Sequence, residues 1–403
     1  MANFNISIME KRKLNILFIA TEYPSKKSPK LNNYGGQASY LQNISNLLRK
    51  EKHEVSVYLV SDKFLNITEN GIKIRQFGFK INIPLLKKFT NFINYILISF
   101  YMNLKIYSEN KKKKFDIIQY PSFINFGVIL FFPNNCKKIC RISGITKLWR
   151  EYNNQNRNLI HIVSDFFEKR RVQQAYKVFA PSKIISNKAS LEYSKKIYTL
   201  VSPLSIINKN IINMKKKKIK EKYLLYVGTL NRVKGTDLLA NAILKTFKKH
   251  KYISLIISGR NDNLERNKNS IDYVIKKCKK FESRIRYLGV LPKKEVYNLY
   301  SNAEAIIIPS RLDNYPNVMI ESILFKKPII GFLNSSLDEV INHGKTGFLG
   351  DKQNSEYLFE KIDEFLSLSN SKKKILDKNI LNLKKKLKSI NYVKQLINFY
   401  NQN

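Results

Sequence analysis

Short apolar runs alternate with amphipathic stretches from one end of the chain to the other, and few folds accommodate that pattern. Leu14–Ala20, Glu54–Val60, Ile72–Phe77, Phe115–Tyr120, Lys138–Ser143 and Val178–Ala180 read as strands. Between the first two, Leu41, Ile44, Leu47 and Leu48 share one face of a helix. Runs without a polar side suit parallel strands covered by helices on both faces. A second series follows at Tyr223–Thr229, Ile253–Ser258, Ile285–Gly289, Ala305–Pro309 and Pro328–Phe332, with Val296, Leu299 and Tyr300 marking an intervening helix. Asn208 to Lys222 is polar and Lys-rich and reads as a linker. At about 150 residues per domain, 403 residues make two or three domains. The expected division is an N-terminal domain over 1–205, a linker over 206–222 and a C-terminal domain over 223–386, with a helix over 387–403 packing back on the N-terminal domain. The fold class is α/β, with two Rossmann-like parallel-sheet domains facing an interdomain cleft, where open sheets bind ligands.

Charge bears on partners rather than on fold. Lys+Arg 73 against Asp+Glu 30 leaves a formal charge of +43. Phosphates, anionic lipid and nucleic acid all become plausible ligands. The Lys runs at Lys111–Lys114, Lys215–Lys218, Lys372–Lys374 and Lys384–Lys386 fall in different elements and form no single stripe. No zinc knuckle, RNA-recognition signature or basic helix with stacking aromatics accompanies them, so nucleic acid is not the expected partner. Three cysteines, Cys136, Cys140 and Cys278, are too few for a disulfide framework and suit a reducing compartment. Phe89–Tyr107 is the most apolar long stretch, but Asn91, Asn94, Ser99, Asn103 and Lys105 break it. It is either a helix buried against its sheet or, with Phe89, Phe92, Ile93, Tyr95, Ile96, Leu97 and Phe100 between lysines, a face that lies on an anionic bilayer. The expected location is cytoplasmic, with possible attachment to the inner face of the membrane.

Three segments carry chemistry. Pro309 to Ser322 follows the apolar strand Ala305–Ile308 and opens a helix near Pro316. Asp313 falls on the loop and Glu321 more than a turn into the helix, while the first N–H groups, of Asn317 and Val318, suit a phosphate. The same residues could be an N-capping Asp and a solvated helical Glu. Tyr226 to Gly235 ends a strand at Gly228 and continues through Thr229, Arg232 and Lys234, a cationic loop that would also pass as a surface turn. Gly35-Gly36 after the first strand allows close backbone approach by a ligand, or forms a plain turn.

In this order, Gly35-Gly36, Gly228-Thr229-Leu230 with Lys234-Gly235, Ser258-Gly259, Leu288-Gly289-Val290, Pro309-Ser310 and Asp313-x7-Glu321, the motifs resemble those of retaining glycosyltransferases of the GT-B fold, family four. Arg170 to Ser182 and Glu339-x4-Gly344-x2-Gly347-Phe348-Leu349 are similar to two further segments of that family. The resemblance implies a nucleotide-sugar donor and a glycan or lipid-linked acceptor, in the setting of cell-surface polysaccharide assembly. It assigns Glu321 to the ribose hydroxyls, Asp313 to the donor sugar and Lys234 to the diphosphate. Val290 would meet the base, Asn317 and Val318 the phosphates and sugar, and Gly36 the donor phosphate. Gly228, Thr229, Arg232 and Gly259 join the donor set, and Gly35 the acceptor side. Asp313 stands where the family has Glu, Thr229 where many members have Arg, and Ser143 where a His contacts the donor; these departures also suit a catalytically degenerate binding subunit. With no Asp-x-Asp pair, no metal cofactor is expected.

Overall fold

A computed structural model describes residues 12–25, 35–61, 64–78, 87–123, 136–202, 219–265, 268–388 and 390–402. In chain order its elements are β1 (Asn15–Ala20), α1 (Gly36–Lys50), β2 (Glu54–Ser61), β3 (Leu65–Glu69), β4 (Ile72–Gly78), α2 (Lys87–Lys112), β5 (Ile117–Pro121), β6 (Lys137–Arg141), α3 (Thr146–Tyr152), α4 (Leu159–Gln174), β7 (Lys177–Ala180), α5 (Lys183–Tyr193), β8 (Tyr198–Thr199) and β9 (Tyr223–Val227). There follow α6 (Thr236–Lys249), β10 (Ser254–Ser258), β11 (Asn263–Glu265), β12 (Lys268–Asn269), α7 (Ser270–Lys277), β13 (Ile285–Tyr287), α8 (Lys293–Asn302), β14 (Ala305–Ile308), α9 (Asn317–Leu324), β15 (Ile329–Phe332), β16 (Gly347–Gly350), α10 (Ser355–Leu366), α11 (Asn370–Lys388) and α12 (Tyr392–Asn401). The chain divides into two units. One holds Met1–Arg141, Gln174–Lys177 and Tyr400–Asn403, and the other Ile142–Gln173 and Val178–Phe399. The expected linker lies mostly outside the described residues.

In the first unit the strands run β3-β4-β2-β1-β5-β6. All pairs are parallel except β3 with β4. That hairpin turns at Asn70 and Gly71, both at positive φ (52° and 71°), which is the reason for an Asn-Gly pair there. Helix α2 buries Ile98, Met102 and Ile106 and exposes Phe100, Leu104 and Tyr107. Its earlier residues Phe89, Phe92, Ile93, Tyr95 and Ile96 lie outside the described side chains, and Leu97 is half-buried. Among the described residues no helix is long and apolar enough to cross a membrane. The end of the chain packs here too, where the Tyr400 hydroxyl donates to Gln119 at 2.6 Å and Lys137 Nζ donates to the Tyr400 carbonyl at 3.0 Å.

The second unit is built on an all-parallel sheet ordered β13-β10-β9-β14-β15-β16. Its strands are buried on both faces because successive side chains enter opposite cores. Leu224 and Tyr226 point into a core with Leu239, Ile243, Phe247 and Ile362. Tyr223 and Leu225 enter a second one with Tyr300, Met319 and Ile323. Apolar burial of this kind contributes about 25 cal/mol per Å², and it fixes the register of every strand. Cys136, Cys140 and Cys278 are not disulfide-bonded, and Cys140 and Cys278 are buried as small apolar residues.

Candidate active site

In a parallel sheet the carboxyl ends of all strands lie along one edge. The order β13-β10-β9-β14 therefore brings four loops side by side, carrying Val290, Gly259, Gly228 to Lys234, and Asp313 to Glu321. Two glycines let these loops touch backbone to backbone. Gly259 has φ 147°, and a Cβ there would fall 1.9 Å from the Gly228 carbonyl oxygen. Gly235 has φ 71°, and a Cβ would fall 1.9 Å from the Pro309 carbonyl oxygen. No other residue fits either place.

The loop after β9 is held from several sides. Arg311 donates from Nη1 to Asp237 Oδ1 at 2.7 Å and from Nη2 to Asp237 Oδ2 at 2.6 Å, and it also reaches the Arg232 carbonyl at 2.6 Å. The Arg311 amide donates to the Val233 carbonyl at 2.8 Å. Asn231 Oδ1 accepts the Lys234 amide at 2.9 Å. Lys234 then extends to Asp313, Nζ to Oδ2 at 2.6 Å. The Asp313 side chain is only 12% exposed, and Lys234 retains 32%. Arg232 sits 3.7 Å from Asp237 and so belongs to the same ion-pair group.

Asp313 is not a helix cap. Its Oδ1 accepts the Asn314 amide at 3.0 Å, and the cap of α9 is Pro316, which offers no side-chain acceptor. The Asn317 and Val318 amides have no acceptor among the described residues. The positive end of the helix dipole is thus left open beside the Lys234–Asp313 pair. Glu321 is only partly solvated. It lies against the Tyr300 hydroxyl, and burial pushes its carboxyl up to about 7, with that hydroxyl and Lys293 pulling the other way. Asn314 ties in a further segment by donating from Nδ2 to the Ile142 carbonyl at 2.9 Å, which brings neighbouring Ser143 to the Asp313 loop.

The remaining candidates have simpler surroundings. The Thr229 carbonyl accepts the Tyr226 hydroxyl at 2.9 Å, and Val290 is 52% exposed. The Gly228 amide donates to Ser258 and the Gly259 amide to Gly289. Gly35 and Gly36 belong to the first unit, at the uncapped start of α1, where the Gly35 amide meets Glu22 Oε2 at 3.2 Å. Arg311, Asn231, Asn314 and Tyr300 carry no role in the sequence reading. Their partners are 74, 3, 172 and 21 residues away, so only the short Asn231–Lys234 contact had a local signal. Among the described residues no group of three or more His, Cys, Asp or Glu is placed to hold a metal.

Two α/β units of this topology correspond to the GT-B fold of solved glycosyltransferases. The family model for glycosyl transferases group 1 matches residues 208–401. A Klebsiella pneumoniae protein, described as an uncharacterized 41.2 kDa protein in the cps region, is 27% identical over 45% of this chain, and the match spans 44% of that relative. Sucrose-phosphate synthase from Thermosynechococcus elongatus superposes with TM-score 0.72 at 15% identity, covering 96% of this chain and 98% of its own. Anabaena HepE, solved with UDP and glucose, gives TM-score 0.68 at 14% identity over 96% and 98%.

Proposed function

We propose that the protein is a retaining hexosyltransferase that moves a sugar from a nucleotide-sugar donor to a glycan or lipid-linked saccharide in cell-surface polysaccharide assembly. The observation that carries the reading is Lys234, held by Asp313 beside the open amides of Asn317 and Val318. As the donor bond breaks, negative charge collects on the leaving diphosphate and positive charge on the sugar. Cations and amides fixed in advance lower the cost of the first, commonly the largest contribution in such reactions. Lys234 would turn from Asp313 to the diphosphate, and Asp313 would be released to accept from the sugar hydroxyls. Glu321 would accept from the ribose, with Val290 beside the base and Gly228, Thr229, Arg232, Gly259 and Gly36 completing the donor set. Gly35 and Ser143 are assigned to the acceptor side and the donor sugar respectively. Charge compensation by Lys234 and the amides needs no metal cofactor.

The setting is supported by the cps-region relative and by a structural neighbour solved with UDP and glucose. Attachment to the inner membrane face is proposed through the exposed aromatic face of α2, where Lys105 lies over Tyr101 and Lys111 over Tyr107. Absence of flotation with anionic liposomes at low salt would remove that part. A thermal-shift screen of UDP-, GDP- and ADP-sugars tests the main reading, since a ligand of the folded state alone must raise its stability. No shift with any of them would end it. A shift without donor hydrolysis or transfer would favour the second reading, a binding subunit, which Thr229, Ser143 and Asp313 motivate.

A further inference from the structure

One cavity in the second unit borders the loop after β9 but is lined by none of the donor-binding candidates named above. It measures about 930 Å³, opens to the surface, and is lined by α3, its connection to the start of α4, the loop after β9, and the segment from the loop after β10 into β11. The volume is in the usual range for a ligand pocket. Its lining is unlike the rest of the molecule. Seven of the eleven lining residues are carboxamides, six Asn and one Gln, and none is Lys or Arg, in a chain with 73 of those cations. The only tryptophan of the chain, Trp149, forms part of the wall and keeps 43% of its surface exposed.

That chemistry selects a ligand class. A phosphate or carboxylate would find no cation in the lining. A purely apolar ligand would strand the amides. Vicinal hydroxyls, by contrast, pair with the donor and acceptor of a carboxamide, and the apolar face of a pyranose stacks on an indole. Asn153 makes the case concrete. Its Oδ1 accepts the Val233 amide at 3.2 Å, while its Nδ2 is buried with no partner among the described residues. An oxygen acceptor placed in the cavity would satisfy it. The wall is also built to stay in place: Arg150, buried next to Trp149, is ion-paired with Asp165 of α4, and Asn261 Nδ2 donates to Asn269 at 2.7 Å. Two lining residues, Asn153 and Asn231, reach Lys234's own loop, through the Val233 and Lys234 amides.

We propose that this cavity binds a neutral saccharide, stacked on Trp149 and hydrogen-bonded by Asn153 and its neighbouring carboxamides, as the acceptor glycan of the transfer. The last clause rests on the glycosyltransferase reading; the saccharide site itself does not. The single tryptophan supplies the probe. Its emission, excited beyond the absorption of the 23 tyrosines, is followed while maltose, cellobiose, lactose, α-1,3-mannobiose and N,N′-diacetylchitobiose are titrated at millimolar concentration. Expected is a saturable shift with at least one sugar, weakened about tenfold in Asn153→Ala, the loss of roughly one hydrogen bond. Calorimetry of Trp149→Phe with the same sugar should show a similar loss, and UDP binding followed by thermal shift should be unaltered in that variant. If no sugar shifts the emission, or if UDP displaces the sugar from Trp149, the proposal is overturned. A silent sugar titration beside a normal UDP-sugar thermal shift sinks the saccharide site and leaves the transferase reading standing; the reverse pattern does the opposite.

Discussion

Helices α5 and α9 of the second unit both begin after a proline, and their first turns are finished differently. At α5, Ser182 Oγ accepts the Ile185 amide, and Glu339 takes the Lys183 and Ile184 amides at 2.8 and 3.0 Å. At α9, Pro316 offers nothing, and the Asn317 and Val318 amides stay open. The fold brings a carboxylate near both. In the second case Asp313 is drawn away from the helix by Lys234. A closed helix start is structural and an open one, flanked by a cation, is a place for an anion.

The strongest way to break this contrast is to remove the cation. Lys234→Ala should lower transferase turnover by about 100-fold or more, as when one preorganised donor to an oxyanion is lost; unchanged turnover would take Lys234 out of the reaction. Next is Glu321→Ala, expected to weaken nucleotide binding by about 1.5–3 kcal/mol, measured by calorimetry with UDP or the nucleotide the screen selects. Titration sharpens the same point. Because Glu321 is raised from 4.5 to about 7, the folded protein holds its proton longer than the unfolded chain. Its contribution to stability should therefore fall as pH rises from about 4.5 through 7. Urea midpoints across that range should show a decline that Glu321→Gln lacks. The smallest effect belongs to the closed helix: Glu339→Gln should cost about 1 kcal/mol of stability and leave nucleotide affinity unchanged. Loss of nucleotide binding there would erase the distinction between the two helices.

How much of this could be read in advance depends on the range of the interaction. Strands β9, β10, β14 and β15 were legible because burial on both faces makes them apolar throughout. Strand β3, which alternates half-buried and exposed residues, was missed, although Asn70-Gly71 marked its hairpin. The donor candidates after β9, β10, β13 and β14 converge because sheet order brings those strands together. The sequence motif held both members of the Lys234–Asp313 pair but not their contact across 79 positions. Arg311 was passed over for the same reason, its partner Asp237 being far along the chain. Glu321 read equally well as solvated, since its burial depends on Tyr300 from another helix.

The junction of the β9 and β10 loops has a mechanical consequence. Beyond the Gly228–Gly259 contact, Leu230 donates to the Arg260 carbonyl at 2.8 Å and Asp262 returns a bond to Leu230 at 3.1 Å. This short ladder extends the sheet past its last formal strand and makes one stiff lever of the segment bearing Lys234 and the segment bearing Asn261. Because the two segments share these backbone bonds, neither can move away from the other without breaking them.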